Sequence, residues 1–454
     1  MKERMSASVG NEANMVLVPR PWRVEIMGES QPWDEAGSVV VTKEPVPGLP
    51  EGAPIWQRDE AYRLEITAGR PSIAASTGAG ERHARRVLRQ LAAAPTVPDL
   101  VIVDRPEFEW RGLNVDIARH FFGPDALIRV MDIMADLALN RLHLHLSDDQ
   151  GWRIEIPAIP ELTDRSSHTC VGGGPGGYLT QNDMKRLAAE AACRGIALIP
   201  EVDVPGHTTA ALHALPGLNP GGAAPEVYEG IEVGISTLTD GLPETERFLA
   251  AVFGSLARHG AQGIHIGGDE CLLTPPEEFE RLVGRAAHHV RTASRPVIAW
   301  QEAAAVLQAG DAVQVWDERQ DFSAVVEAAA RGVGIIASPA SRAYLDMKYE
   351  LGDRLGLTWA GTTTLRESLE WDPRELIAHM DPGAVRGVEA CLFTETIETF
   401  DDLTSMLLPR LAAIAEVAWA GSGIGQWESF SQRLAAYSRA WEGLAWHRGP
   451  AAAL

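Results

Sequence analysis

Short apolar runs of β type, broken by Pro and Gly, occupy the first hundred residues. They fall at 16–18, 22–26, 39–41, 62–66 and 71–75. Between 81 and 94 the spacing changes, with Val87, Leu88 and Leu91 at helical intervals, and a last β-type run comes at 100–103. Strands with one helix predict a small α+β domain over residues 1–104. The Pro-containing segment that starts at Asp104 reads as the linker to a second, larger domain.

From Trp110 a regular rhythm sets in. Apolar β-type runs at 112–117, 141–146, 196–202, 263–266, 296–300, 312–316, 333–337 and 387–393 alternate with amphipathic stretches. The helical candidates are 125–139, 180–194, 243–259, 277–292, 303–309, 322–331, 373–380 and 403–420. Pro124 suits an early helical position, and Thr180 with Asp183 has capping-box spacing. Eight β/α alternations predict a (β/α)8 TIM barrel over 105–425, placed after the small α+β domain. An open, doubly wound sheet is the structural alternative. It usually carries a glycine-rich nucleotide fingerprint after its first strand, and GLNVDIAR is not one. A tail helix at 427–446, within the segment 426–454, is expected to pack on the barrel exterior.

A barrel of this kind works at the C-terminal ends of its strands. Polar and aromatic residues gather there in this chain. The first strand leads to Asp116 and Arg119, the second to Asp148 and the third to Glu201, Asp203 and His207. The fourth leads through GIHIGGDE to Asp269 and Glu270, and the fifth and sixth end at Trp300 and Trp316. Tyr344, Asp346 and Trp359 come after the seventh, and Phe393 and Glu395 close the eighth. A Gly-Gly corner can turn two adjacent acids into one pocket. Carboxylates and an arginine bind vicinal hydroxyls, and aromatic rings stack on a pyranose face. The mixture describes a sugar pocket.

Composition narrows the partners. The apolar fraction of 45% is that of a globular protein, and the formal charge of −22 argues against nucleic acid or an anionic membrane as partner. Cys170, Cys193, Cys271 and Cys391 are far apart, so neither a zinc knuckle nor a disulfide framework is indicated. Without a secretory signal or a long apolar segment, the chain is expected in the cytoplasm. His143 and His145 form an HxH that could hold a metal. It precedes the strand end, so a core role is favoured and no metal or cofactor is expected. The run VGGGPGG at 171–177 lacks the GK[ST] of a phosphate loop and reads as a flexible loop. No oligomeric state is assigned.

The strings DIARHFF, HLHLSDDQGWR, IPEVDVPGH, HIGGDE, YLD and LFTE, in order from Trp110 to Glu395, resemble those of glycoside hydrolase family 20, the β-N-acetylhexosaminidases. The resemblance implies exo-acting removal of β-linked N-acetylglucosamine or N-acetylgalactosamine with retention, assisted by the substrate's own acetamide. Glu270 would be the general acid and then the base, Asp269 would orient the acetamido group, and Tyr344 would bond its oxygen. Trp300 and Trp316 would wall the N-acetyl pocket, with Trp359 under the ring. Arg119, Asp346 and Glu395 would hold sugar hydroxyls, Asp203 and His207 would support the acid, and Asp148 would lie in the pocket floor. On this reading Asp269 stays ionised and Glu270 protonated. The family usually has Trp where this chain has Phe393, which bears on the N-acyl group accepted. A conventional retaining β-glycosidase with a carboxylate nucleophile, a non-catalytic sugar-binding barrel and a metallohydrolase remain as alternatives.

Overall fold

A computed structural model describes residues 16–33, 39–439 and 441. Its first unit is a five-stranded mixed sheet with β1 (Arg23–Pro32), β2 (Val40–Thr42), β3 (Tyr62–Thr67), β4 (Arg70–Ala74) and β5 (Thr96–Asp104), in the order β1-β5-β3-β4-β2. The helix Gly78–Leu91 packs on it, capped by the Thr77 side chain, and buries Ala84, Val87 and Leu91. A short helix, Ile55–Glu60, was not apparent from the sequence. The apolar run at 16–18 is not a strand. Leu17 and Val18 are buried, but the Val18 backbone pairs with the Gln90 side chain instead of with a neighbouring strand.

The second unit is a closed parallel barrel of β6 (Trp110–Asp116), β7 (Arg141–His145), β10 (Ala197–Glu201), β11 (Ile264–His265), β12 (Val297–Trp300), β13 (Ala312–Val315), β14 (Gly334–Ala337) and β15 (Val385–Leu392). A two-stranded ribbon, β8 (Ser147–Asp148) with β9 (Gly151–Trp152), projects after β7. The eight strands are those expected from the apolar runs. The helix Gln181–Arg194 begins with the expected Thr180/Asp183 capping box. Three helical expectations change. Residues 303–309 give way to a 3-10 helix, Gln301–Val306, and 373–380 to a 3-10 turn, Pro373–Glu375. The long stretch 403–420 divides into Phe400–Leu407 and Arg410–Ala420, because Pro409 cannot continue a helix. The tail helix runs Trp427–Tyr437, and the rest of 426–454 falls largely outside the described residues.

The barrel interior is layered. At the bottom Trp110, Ile199, Ile298, Ala312 and Ile336 form an apolar plug. Each buried isoleucine there contributes about 1.5–3 kcal/mol. Above it lies a polar layer of Asn114, His143, Glu201, His265, Gln314 and Glu389, all fully buried. Gly112 makes room for this layer, since a Cβ there would stand 2.1 Å from the Glu389 carboxylate. The segment at Asp104 is a buried joint. Its carboxylate accepts from the Trp22 amide, the Tyr62 hydroxyl and the Trp419 indole, which ties the small sheet to the last barrel helix.

Candidate active site

A cavity of about 760 Å³ opens at the C-terminal ends of the barrel strands. Of the residues singled out from the sequence, Arg119, Asp148, His207, Asp269, Glu270, Trp316, Tyr344, Asp346, Trp359, Phe393 and Glu395 line it. Asp203 and Trp300 do not. Asp203 stands behind the GlyGly corner. Trp300 is 1% exposed and spends its indole N–H on Glu201, 3.0 Å away. It packs behind Trp316 and Tyr344 rather than forming the cavity wall.

The corner itself is built by close approach. Gly267 and Gly268 both have positive φ, and a Cβ on Gly267 would lie 1.8 Å from Asp203 Oδ1. The Gly268 amide donates to that same oxygen at 2.8 Å. Glu270 and His207 take left-handed backbone with φ of 47° and 53°, a cost borne mostly at sites where side-chain direction matters.

A chain of buried contacts reaches Glu270 from below. His145 bridges Glu201 (2.5 Å) and Asp148 (2.8 Å). Asp148 accepts from Arg119 at 2.7 Å and from His207 Nδ1 at 3.1 Å. His207 Nε2 then faces Glu270 Oε2 at 3.5 Å and Asp269 Oδ2 at 3.8 Å. Burial works against a charged imidazole, but Asp148 and the two facing acids push its pKa well above the usual value. A protonated His207 is thus anchored on one side and presented to the acids on the other.

The electrostatics of the paired acids differ from the sequence expectation. Burial, then the neighbouring Asp203 carboxylate, pushes the Asp269 pKa well above the ordinary carboxylate range. Burial raises Asp203 to about 6. Ionisation of either acid is therefore opposed by the other, and a cation forming beside Asp269 favours its charged form. The cause is the close packing of two acids that Gly267 permits, with Asp269 Oδ1 and Asp203 Oδ2 lacking any donor.

Other polar atoms around the cavity are also unpaired. Asp346 Oδ2, Glu395 Oε2 and Arg119 Nε are buried without partners. The Asp346 and Glu395 pKa values are raised, in each case first by burial. The Tyr344 hydroxyl forms no hydrogen bond among the described residues, although the residue is 3% exposed. Trp316 stacks near Tyr344 at 6.2 Å between ring centres, Trp359 stands edge-on to both, and Phe393 tilts against Tyr344 at 5.6 Å. The rings form a box around that hydroxyl. Trp359 is 40% exposed at the mouth.

Some lining residues carried no sequence signal. Arg319 bonds Asp317 and lies over Trp359, and Ile231 and Val233 come from an irregular loop. Glu302 accepts from the Trp316 indole and the Gln320 amide. Only the WQE string after the fifth strand could have drawn attention to it. The loop at 171–177 is pinned where Arg153 donates to the Gly177 and Ser167 carbonyls.

His143 lies in the polar layer, whereas His145 stands above it and lines the cavity. His143, Glu201 and His265 come close enough together to hold a cation. Their atoms are already engaged with one another, since the Glu201 oxygens accept from His143, His145, His265 and Trp300. His143 also donates toward Glu389 at 2.8 Å. This donor set suits a hydrogen-bonded core.

Comparison with known proteins agrees with this geometry. The family model described as "Glycosyl hydrolase family 20, catalytic domain" matches residues 108–280 and 274–422. A beta-N-acetylhexosaminidase of Cellulomonas fimi is 46% identical over 401 residues, covering 86% of this chain and 81% of its own. The Streptomyces plicatus N-acetyl-beta-hexosaminidase in complex with Thio-NAglucal superposes with a TM-score of 0.89 at 35% identity, covering 96% of each chain. A mutant of the S. plicatus enzyme in complex with product (GlcNAc) gives 0.90 at 35% identity, with 97% of each chain covered. With its barrel, its acid pair and these similarities taken together, the chain belongs to glycoside hydrolase family 20.

Proposed function

We infer that this protein is a β-N-acetylhexosaminidase that removes a terminal, non-reducing β-linked N-acetylhexosamine with retention. One observation carries the reading. Asp269, Glu270 and the Tyr344 hydroxyl converge on one cavity in which several buried polar atoms lack partners among the described residues. Unpaired buried groups are costly, and a bound sugar would satisfy them. Asp346, Glu395 and Arg119 take its hydroxyls, and the aromatic box takes its acetamide.

In the first step the acetamide oxygen attacks C1 as the glycosidic C1–O bond breaks. Glu270 gives its proton to the departing oxygen. Asp269 accepts from the acetamide N–H and faces the positive charge that develops on the oxazolinium ring, while Tyr344 donates to the attacking oxygen. Water then attacks C1, Glu270 takes its proton, and the ring opens to the N-acetylhexosamine. His207 holds Glu270 in place through its bond to Asp148.

The test is release of nitrophenol from nitrophenyl β-N-acetylglucosaminide and β-N-acetylgalactosaminide, compared with the β-glucoside. Turnover of an N-acetylated substrate with a nearly inert glucoside is expected. No turnover of either acetylated substrate by folded protein overturns the activity. Comparable glucoside turnover overturns substrate assistance in favour of a carboxylate nucleophile. A cytoplasmic location is part of the proposal, and cell fractionation checks it.

A further inference from the structure

At the opposite end of the barrel, beneath the strands, lies a second cavity of about 970 Å³. It separates the helix Gly78–Leu91 of the small domain from the barrel helices Pro124–Asp136 and Gln181–Arg194. In a chain whose formal charge is −22, its wall is rich in arginine. Arg82, Arg85, Arg86 and Arg89 come from one helix, at spacings that put them on neighbouring turns. Arg129, Arg141 and Arg194 come from the barrel side.

The wall holds four carboxylates, Glu60, Glu109, Asp132 and Asp136, against seven arginines. Glu60 is occupied by Arg111 and His83, and Asp132 by Arg194 at 2.8 Å. Glu81, outside the cavity, takes Arg85 at 2.8 Å. Asp136 acts on Arg86 and Arg89 through space, but neither Arg82 nor Arg89 has a carboxylate within ion-pair distance among the described residues. Arg86 is 1% exposed, donates one bond to the Val18 carbonyl and stacks on Trp419, yet its Nε and Nη2 find no acceptor among the described residues. Arg141 Nε is likewise buried without one. Like charges held this closely, with donors unmet, are unfavourable unless something else supplies the negative charge.

The geometry points to a binding site, between the small domain and the barrel floor, for a small molecule that carries clustered phosphate or sulfate groups. A guanidinium presents paired donors that match a tetrahedral oxyanion, and several around one space select a multiply charged ligand. The volume is that of a pocket for a small molecule, about 300–1,000 Å³. Both domains contribute arginines, so occupancy would bridge them.

Thermal unfolding of the full chain tests this, with tripolyphosphate and sucrose octasulfate as probes and sodium chloride added to match ionic strength. A rise in Tm of about 2–4 °C with at least one probe is expected. The more effective probe distinguishes a phosphate from a sulfate source. The double variant Arg82→Ser/Arg89→Ser should keep its own Tm and its glycosidase activity, since both side chains are exposed, and should lose the shift. No shift with either probe overturns the proposal, as does a shift that survives in the double variant. Competitive inhibition of glycoside hydrolysis by the probe would place the bound anion at Arg119 or Arg319 instead, and also overturns it.

Discussion

Glu201 is a buried carboxylate and Asp269 a half-buried one on neighbouring parts of one barrel, with opposite surroundings. Glu201, in the polar layer, accepts from three histidines and an indole. Burial opposes its charge, but the histidines, His265 foremost, hold its pKa well below the usual range. Asp269, at the rim, has an oxygen with no donor and a second acid beside it, and its pKa moves the other way. Burial alone therefore does not mark a functional acid. What separates the two is whether the protein supplies the missing hydrogen bonds or leaves them for a ligand.

The sharpest way to break this contrast lies at the rim. Glu270→Gln should lower kcat/KM about 100- to 10,000-fold for a sugar leaving group and much less for an activated phenol. Equal loss on every leaving group, measured across a series of aryl glycosides, would remove Glu270 from the acid role. Asp269→Asn should cost about 100- to 1,000-fold in kcat. Glu201→Gln should act on the fold instead. Removing one partner of a buried charged network costs about 3–5 kcal/mol, read by urea unfolding, while kcat per folded molecule stays within a few-fold of the parent. If kcat fell as far as in Asp269→Asn, the floor would have to be counted with the chemistry.

Glu302 sharpens the comparison through pH. Burial and then the charge of Asp269 raise its pKa from 4.5 to about 7. An acid raised in the folded state contributes stability that is fully present below pH 4.5 and is lost as pH climbs through 7. Denaturant unfolding at a series of pH values should show Glu302→Gln flattening that decline, by on the order of 1–3 kcal/mol. The smallest effect is expected at the cavity wall. Phe393→Trp should narrow the acyl pocket and lower the relative kcat/KM for an N-propionyl over an N-acetyl substrate by about 10-fold. An unchanged ratio would show that Phe393 does not touch the acyl group.

The barrel was legible because each strand is a compact apolar run that leads into polar or aromatic residues. The eight runs were enough to place Arg119, Asp269, Tyr344 and Glu395 around one space. Direction was less legible. Trp300 ends its strand as Trp316 ends the next, but its indole turns down to Glu201, and nothing in the string announces that. The second acid beside Asp269 was hidden for a related reason. Adjacent Glu270 is visible in the sequence, whereas Asp203, far away along the chain, becomes its neighbour only because Gly267 has no Cβ. Arg319 and the loop around Ile231 lie in irregular segments, where no periodicity marks a side chain as facing a cavity.

Arg410 stands at the start of the helix beyond the break at Pro409. Its guanidinium donates to the carbonyls of Leu345, Met347 and Thr363 and lies over Tyr349. Those carbonyls belong to the loop that carries Tyr344, Asp346 and Trp359. The three side chains come off the chain well before the residue that fastens them. During synthesis, then, a chain that has emerged past the seventh strand holds most of the catalytic groups but not their clamp. The loop that carries them is fastened only once the helix Arg410–Ala420 has been made and packed.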